Sequence, residues 1–267
     1  GLVHFAEEYA DPALQFEADQ YQQQQFGTQL FNRGMMVPLG VAFIQETTVF
    51  REYGPLSGST MRLSYEGAPK VGKSLSRQTF DGDARHYTRI GANGVFAVRA
   101  YGFKSFGAAP GYTFFGGNSE MRGYDYREFL GHKGFYLNSE LRFPLINAMA
   151  TPIGILGGIR GVFFFNAGGA GLEGRQFKIW DKSTFVTPEV RDQNNILVRP
   201  GQRIEGFRLA DARASYGIGL ETFALGFPVH FDWSYRTLFN KSWEDYQFGS
   251  SSQFRKARFT AWIGYDF

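Results

Sequence analysis

Residues that could do chemistry are few and scattered along this chain. Gly67–Ser74 reads GAPKVGKS and fits the phosphate-loop pattern letter for letter. That pattern aims backbone amides at phosphates only where a buried strand leads in and a helix leads out. Here the preceding stretch is amphipathic, and Leu75–Phe80 runs on toward another strand. The expectation is a loop bearing two lysines, with no bound nucleotide. The histidines are His4, His86, His132 and His230, and none stands at metal-ligand spacing from another. Cysteine is absent, which excludes a disulfide framework and thiolate chemistry. Asp81, Asp83, Glu140, Glu221 and Asp232 could serve paired-acid hydrolysis. Set among strand-borne arginines, they read instead as a charge ladder. No nucleophile-elbow pattern flags a Ser-His-Asp set. The chain is expected to be no enzyme, with no cofactor and no metal.

A different stretch stands out. Phe114–Tyr126 reads FFGGNSEMRGYDY, too glycine-rich and too mixed in polarity for a strand. Strand-like stretches precede it (Gly94–Lys104) and follow it (Gly134–Leu145). It is a loop with a diglycine, an Arg-Gly pair and four aromatic residues. Glycine permits backbone conformations that a Cβ forbids. An arginine held in such a loop reaches an acidic partner through its rigid fork of donors. The loop is therefore expected to fold back into a β-barrel, with Arg122 either reaching an acidic partner or standing in solvent.

The elements that must position Arg122 are strands. In Ala257–Phe267 the odd residues Ala257, Phe259, Ala261, Ile263, Tyr265 and Phe267 form one apolar face. Phe227–Tyr235, Ser215–Phe223, Ile159–Asn166 and Phe135–Leu145 alternate in the same way. Upstream, Met61–Glu66, Gln78–Ile90 and Gly94–Lys104 follow. Met36–Arg51, a glutamine-rich segment near Gln20–Phe31, and Leu2–Tyr9 complete about ten or eleven strands, near the ~9–11 residues each needs to cross a bilayer at a tilt. Ala92-Asn93-Gly94, Leu225-Gly226 and Pro55–Gly58 read as short turns. Ser105–Lys133, Ala170–Ala210 and Thr237–Lys256 read as long connections. Short turns at one end and long loops at the other are the pattern of an outer-membrane barrel.

Composition agrees. The chain has 267 residues, 18% aromatic, with 34 glycines and a formal charge of +3. That charge is too small and too evenly spread to argue for nucleic acid. Mean hydropathy is −0.28, as expected when half of every strand faces a polar lumen. No apolar run approaches the ~18–20 residues of a membrane helix. The aromatics near strand ends suit interfacial girdles.

Gly116–Tyr124 (GGNSEMRGY) resembles the signature loop of the outer-membrane assembly and translocation superfamily of BamA, TamA and the two-partner-secretion transporters, also called the bacterial surface antigen family. Ser139–Pro144 (SELRFP) and Val162–Gly168 (VFFFNAG) resemble the strands that follow it. The resemblance implies that Gly116, Gly117, Arg122, Gly123 and Tyr124 form the latch. Glu140 would be the first partner of Arg122, with Glu221 as another. Asn166 stands where the family usually carries aspartate. The strand ending in Phe267, with Phe259, Ile263 and Tyr265, resembles the family's assembly signal.

The family barrel has sixteen strands, five of them after the loop. Five are read here after the loop and five or six before it. The implied fold is all-β: an antiparallel transmembrane β-barrel, residues 1–267 forming the C-terminal part of a sixteen-stranded whole. Missing strands and any periplasmic domain would precede Gly1, and the resemblance is nearest to surface-antigen domains joined to a TolB-like propeller. The implied place is the outer membrane of a Gram-negative bacterium, which the barrel crosses many times. Its partners would be outer-membrane lipid, lipopolysaccharide and client or secreted polypeptides. The implied function is insertion or translocation of polypeptides. An anchor for an N-terminal propeller or hydrolase, and a diffusion pore, are the alternatives.

Overall fold

The computed structural model of the chain describes residues 3–6, 11–26, 33–51, 54–151, 154–191, 193–224, 227–265 and 267. One antiparallel sheet of ten strands dominates them. Nine strands lie side by side in chain order: β1 (Leu39–Glu46), β2 (Gly54–Ala68), β3 (Arg77–Ile90), β4 (Gly94–Gly107), β5 (Lys133–Thr151), β6 (Gly154–Gly171), β7 (Arg213–Ala224), β8 (Phe227–Thr237) and β9 (Arg258–Ile263). The tenth, Val49–Arg51, pairs with the start of β2. Every strand thus pairs with its neighbour in the chain, the up-and-down arrangement of a barrel wall. Among the described residues, β1 and β9 are the two edges of the sheet.

The polarity of this wall is the reverse of a water-soluble sheet. In β8, Pro228, His230, Asp232 and Ser234 are buried, while Phe227 and Tyr235 are exposed and Val229, Phe231 and Trp233 are partly exposed. Across the sheet, Phe163, Ile218, Trp233 and Phe259 stand in one cross-strand row, and Phe165, Tyr216 and Tyr235 in the next. Phe163, Ile218 and Phe259 are each more than half exposed. On the opposite face Asn138, Glu140, Arg142, Asn166, Ser215, Glu221 and His230 are buried. An apolar face turned outward and a polar face packed inward suit lipid outside and a filled lumen inside. From Ile159 to Phe165 the outward band of β6 runs roughly 20 Å along the strand at ~3.4 Å per residue.

The strands are longer than a bilayer requires. β5 has 19 residues and β6 has 18, about twice the ~9–11 of a tilted crossing. Their surplus projects beyond the band and carries the long loops. All three loops, 108–132, 172–212 and 238–257, leave the same end of the sheet. The 172–212 loop is a ribbon whose rungs pair Trp180–Asp181 with Arg208–Leu209, Phe185–Val186 with Arg203–Ile204, and Val190–Arg191 with Leu197–Arg199. The 238–257 loop folds into two short helices, Lys241–Phe248 and Ser251–Phe254. Asn240 caps the first, its side chain accepting from the Trp243 amide. Ribbon and helices meet over a buried cluster of Ile204, Leu209, Leu238, Trp243 and Phe254 and form a dome above the wall.

Several expectations are corrected. The glutamine-rich segment is a helix, α1 (Pro12–Phe26), not a strand. Asp11 accepts from the Ala13 amide, Pro12 opens the first turn, and Gln15 bonds Asp19 one turn on. Cap, proline and good helix formers outweigh the weak alternation. Residues 27–32 lie outside the described set. Leu2–Tyr9 contributes the short strand Val3–Ala6, paired with Arg33–Met36. Met36–Arg51 is broken at 37–38 and again at 47–48. Pro55–Gly58 belongs to β2, whose connection to Val49–Arg51 lies at the undescribed residues 52 and 53. The turn after β3 is Gly91–Asn93, with Gly91 left-handed and not Asn93, so Gly94 opens β4. The Leu225-Gly226 turn lies outside the described residues. Alternation along the last strand holds to Ile263. Phe259, Ile263 and Tyr265 are exposed, whereas Phe267 turns inward and is buried against Tyr87, Val95 and Ala97.

Candidate functional site

The site is the loop between β4 and β5. Thr113–Phe115 pairs with Phe129–Gly131 as a short neck. Between them the chain folds back onto the polar face of the wall. A bridge between Gly117 and Met121 tightens its tip, where Met121 is fully buried. Two glycines allow the fold. Gly116 has φ +138°, and a Cβ there would lie 2.5 Å from the Asp125 carbonyl oxygen. Gly123 has φ +86°, and a Cβ there would press on Ser234 of β8 at 2.9 Å. Only glycine combines this backbone with this closeness.

Arg122 sits at the centre, 2% exposed. Its Nη1 donates to Glu140 Oε1 on β5 at 2.6 Å. Its Nε lies 3.2 Å from Asp232 Oδ2 on β8. Its guanidinium lies over the Phe164 ring of β6, 4.7 Å from the centroid. One cation thereby holds two carboxylates and a ring on three different strands, the use to which a planar five-donor fork is suited. Each carboxylate has a further partner. Glu140 accepts from Arg142 Nε at 2.8 Å, and Asp232 accepts from Trp262 Nε1 of β9 at 2.8 Å. Arg142 in turn donates to the Phe267 carbonyl at 3.1 Å and faces its ring. His230 stacks on Trp262 at 3.8 Å and contacts the Gly264 carbonyl through Nε2.

The rest of the loop is gripped as firmly. Tyr124 donates its hydroxyl to the Ala214 carbonyl of β7 at 3.0 Å. Asn138 of β5 donates to the Glu120 carbonyl at 2.6 Å. Arg258, the first residue of β9, donates to the Gly123 carbonyl at 2.9 Å and pairs with Asp125. The loop thus touches β5, β6, β7, β8 and β9.

Of the residues named from the sequence, Gly116, Gly117, Arg122, Gly123, Tyr124 and Glu140 are together here. Glu221 is not: it pairs with Arg160 of the adjacent β6. Asn166 is fully buried, and neither side-chain polar atom finds a hydrogen-bond partner among the described residues. Asp232 and Arg258 are the members that sequence reasoning did not attach to the loop. Both were visible as polar residues on alternating strands, but nothing local ties them to a loop more than 100 residues away. Val71–Ser74 of the GAPKVGKS stretch closes a turn through Ser74, and β3 follows with no helix between.

An up-and-down wall, apolar outside and polar inside, with an arginine-centred loop folded onto its inner face, has the architecture of an outer-membrane barrel wall. The Omp85 superfamily domain matches residues 18–267, and the chain belongs to the Omp85 superfamily. This is the superfamily that inserts and translocates polypeptides at the outer membrane of Gram-negative bacteria. No curated protein gives a significant match to the chain.

Proposed function

We propose that this chain is the wall of an outer-membrane barrel, crossing the membrane many times, that offers the free edge of β9 to a client polypeptide. The observation that carries the reading is the join between latch and edge. β9 pairs with β8 on one side and, among the described residues, with nothing on the other. Its backbone groups are a template for an incoming strand. Its base is held by Arg258 on the loop, and its Trp262 is held by Asp232, which also faces Arg122. The latch therefore fixes the position of the strand that a client would meet. The loop also packs over the inner face of five strands, which speaks against a simple diffusion pore.

The test is insertion. Proteoliposomes holding the chain should speed the folding of a urea-unfolded eight-stranded outer-membrane barrel several-fold over empty liposomes. Single cysteines along Arg258–Ile263, in this cysteine-free chain, should form disulfides with the client's terminal strand at alternate positions. Equal folding rates and no register-dependent cross-link would reject the reading.

A further inference from the structure

The dome does not stand clear of the wall. Phe165, Tyr216 and Tyr235 form the last exposed outward row of β6, β7 and β8 before the loops, with the two tyrosine rings stacked at 5.7 Å. Tyrosine rows at this level are the interfacial girdle of a membrane barrel. Phe239, from the loop after β8, packs its ring on Phe165 at 6.5 Å. Phe207 follows at 6.0 Å from Phe239, and Trp180 at 6.1 Å from Phe207. The last two belong to the ribbon of the 172–212 loop. All six rings are between 39% and 50% exposed.

The backbone is bent to place them so. Leu238 is fully buried in the dome core, its amide donating to Glu244. Phe239, the next residue, has φ +62°, a left-handed conformation rare for a residue with a large side chain. Such a conformation persists only where its surroundings hold it. Here it turns Leu238 into the dome and Phe239 out onto the girdle.

We propose that Trp180, Phe207 and Phe239 form a lipid-docking face, by which the two long loops lean onto the membrane interface. The occupant follows from continuity: the aromatic track begins on the lipid-facing belt and leaves it without a break. A partner protein would have to share the Phe165 ring with lipid. The proposal rests on the outer-membrane reading and extends it from the strands to the dome.

The absence of cysteine allows the test. Single-cysteine variants Phe207→Cys, Phe163→Cys and Val198→Cys, each carrying a bimane label, are folded in phosphatidylcholine vesicles with and without brominated acyl chains. Phe163 lies in the belt, and Val198 is an exposed residue near the ribbon tip. The label at 163 should be strongly quenched by brominated lipid. The label at 207 should be quenched at least 2-fold, most by bromines near the headgroups. The label at 198 should respond to iodide and not to lipid. Should Phe207→Cys fail to fold, Trp180→Cys reports the adjacent ring. A label at 207 that answers to iodide as readily as that at 198, while 163 answers to lipid, overturns the proposal. So does a label at 207 shielded from both quenchers, which would mark a protein face. Loss of lipid quenching at 163 would instead sink the outer-membrane reading beneath it.

Discussion

Arg122 resolves a cost that it also creates. A guanidinium and two carboxylates taken from water are expensive, and close pairing offsets that expense. Removing the cation takes a partner from Asp232, which keeps the Trp262 indole, and one from Glu140, which keeps Arg142. Arg122→Ala should therefore lower stability by about 3–5 kcal/mol, read as the urea midpoint of heat-modifiable gel mobility in liposomes. Arg122→Lys should recover part of this, because a lysine keeps the charge and loses the fork. An unchanged midpoint for Arg122→Ala would show that the pairing holds nothing together. Asn166 is the opposite case. Its buried amide has no hydrogen-bond partner among the described residues, so Asn166→Ala forfeits no bond there and should be neutral or stabilising within about 1 kcal/mol in the same assay. Legibility differs between the two anions at Arg122. Glu140 follows Arg122 by 18 residues on the next strand, within reach of a local pattern. Asp232 arrives only when the sheet curls, which no local pattern encodes.

Strands were legible because each must present one apolar face to lipid, and a period of two records that constraint residue by residue. The α1 helix was hidden by its own neutrality: PALQFEADQYQQQQF has no strong face for a helical period to reveal. The ribbon rungs of the dome are two or three residues long, too short to carry any period. The latch loop was legible through its glycines, and these give the sharpest test at this scale. Gly116→Ala would drive a Cβ to 2.5 Å from a backbone oxygen. Gly174, also left-handed at φ +76°, has open space around it. Gly174→Ala should cost about 1–2 kcal/mol of backbone strain. Gly116→Ala should cost more and displace the loop, seen as protease cleavage near Arg122; equal effects would contradict the close packing. The dome makes a pH prediction. The Ser251 amide on Asp245 and the Ser183 amide on Asp181 hold both carboxyls below the ordinary value of 3.8. Their contribution is complete above pH 3.8 and drains away as pH falls through the lowered values. Protection of the loops from protease should stay constant from pH 7 to 5 and fall only below about pH 4. A loss near pH 6 would assign the dome's stability to other groups.

The reversed polarity of the wall sets the expectations for the whole molecule. Ile218→Arg, in the outward row with Phe163 and Trp233, should cost about 2–4 kcal/mol in a bilayer. The same change should be nearly silent in detergent that can rearrange around it. Comparison of urea midpoints in the two media checks this, and equal costs would mean that the row does not meet lipid. The clamp from Arg258 to the loop carries a last consequence, one of timing. Arg122 and Glu140 are separated by 18 residues, whereas Arg258 and Gly123 are separated by 135. Closing the longer span costs roughly 2 kcal/mol more in chain entropy. The loop should thus find β5 early and wait for β9, so that its final seal becomes a clock that stops only when β9 has joined the wall.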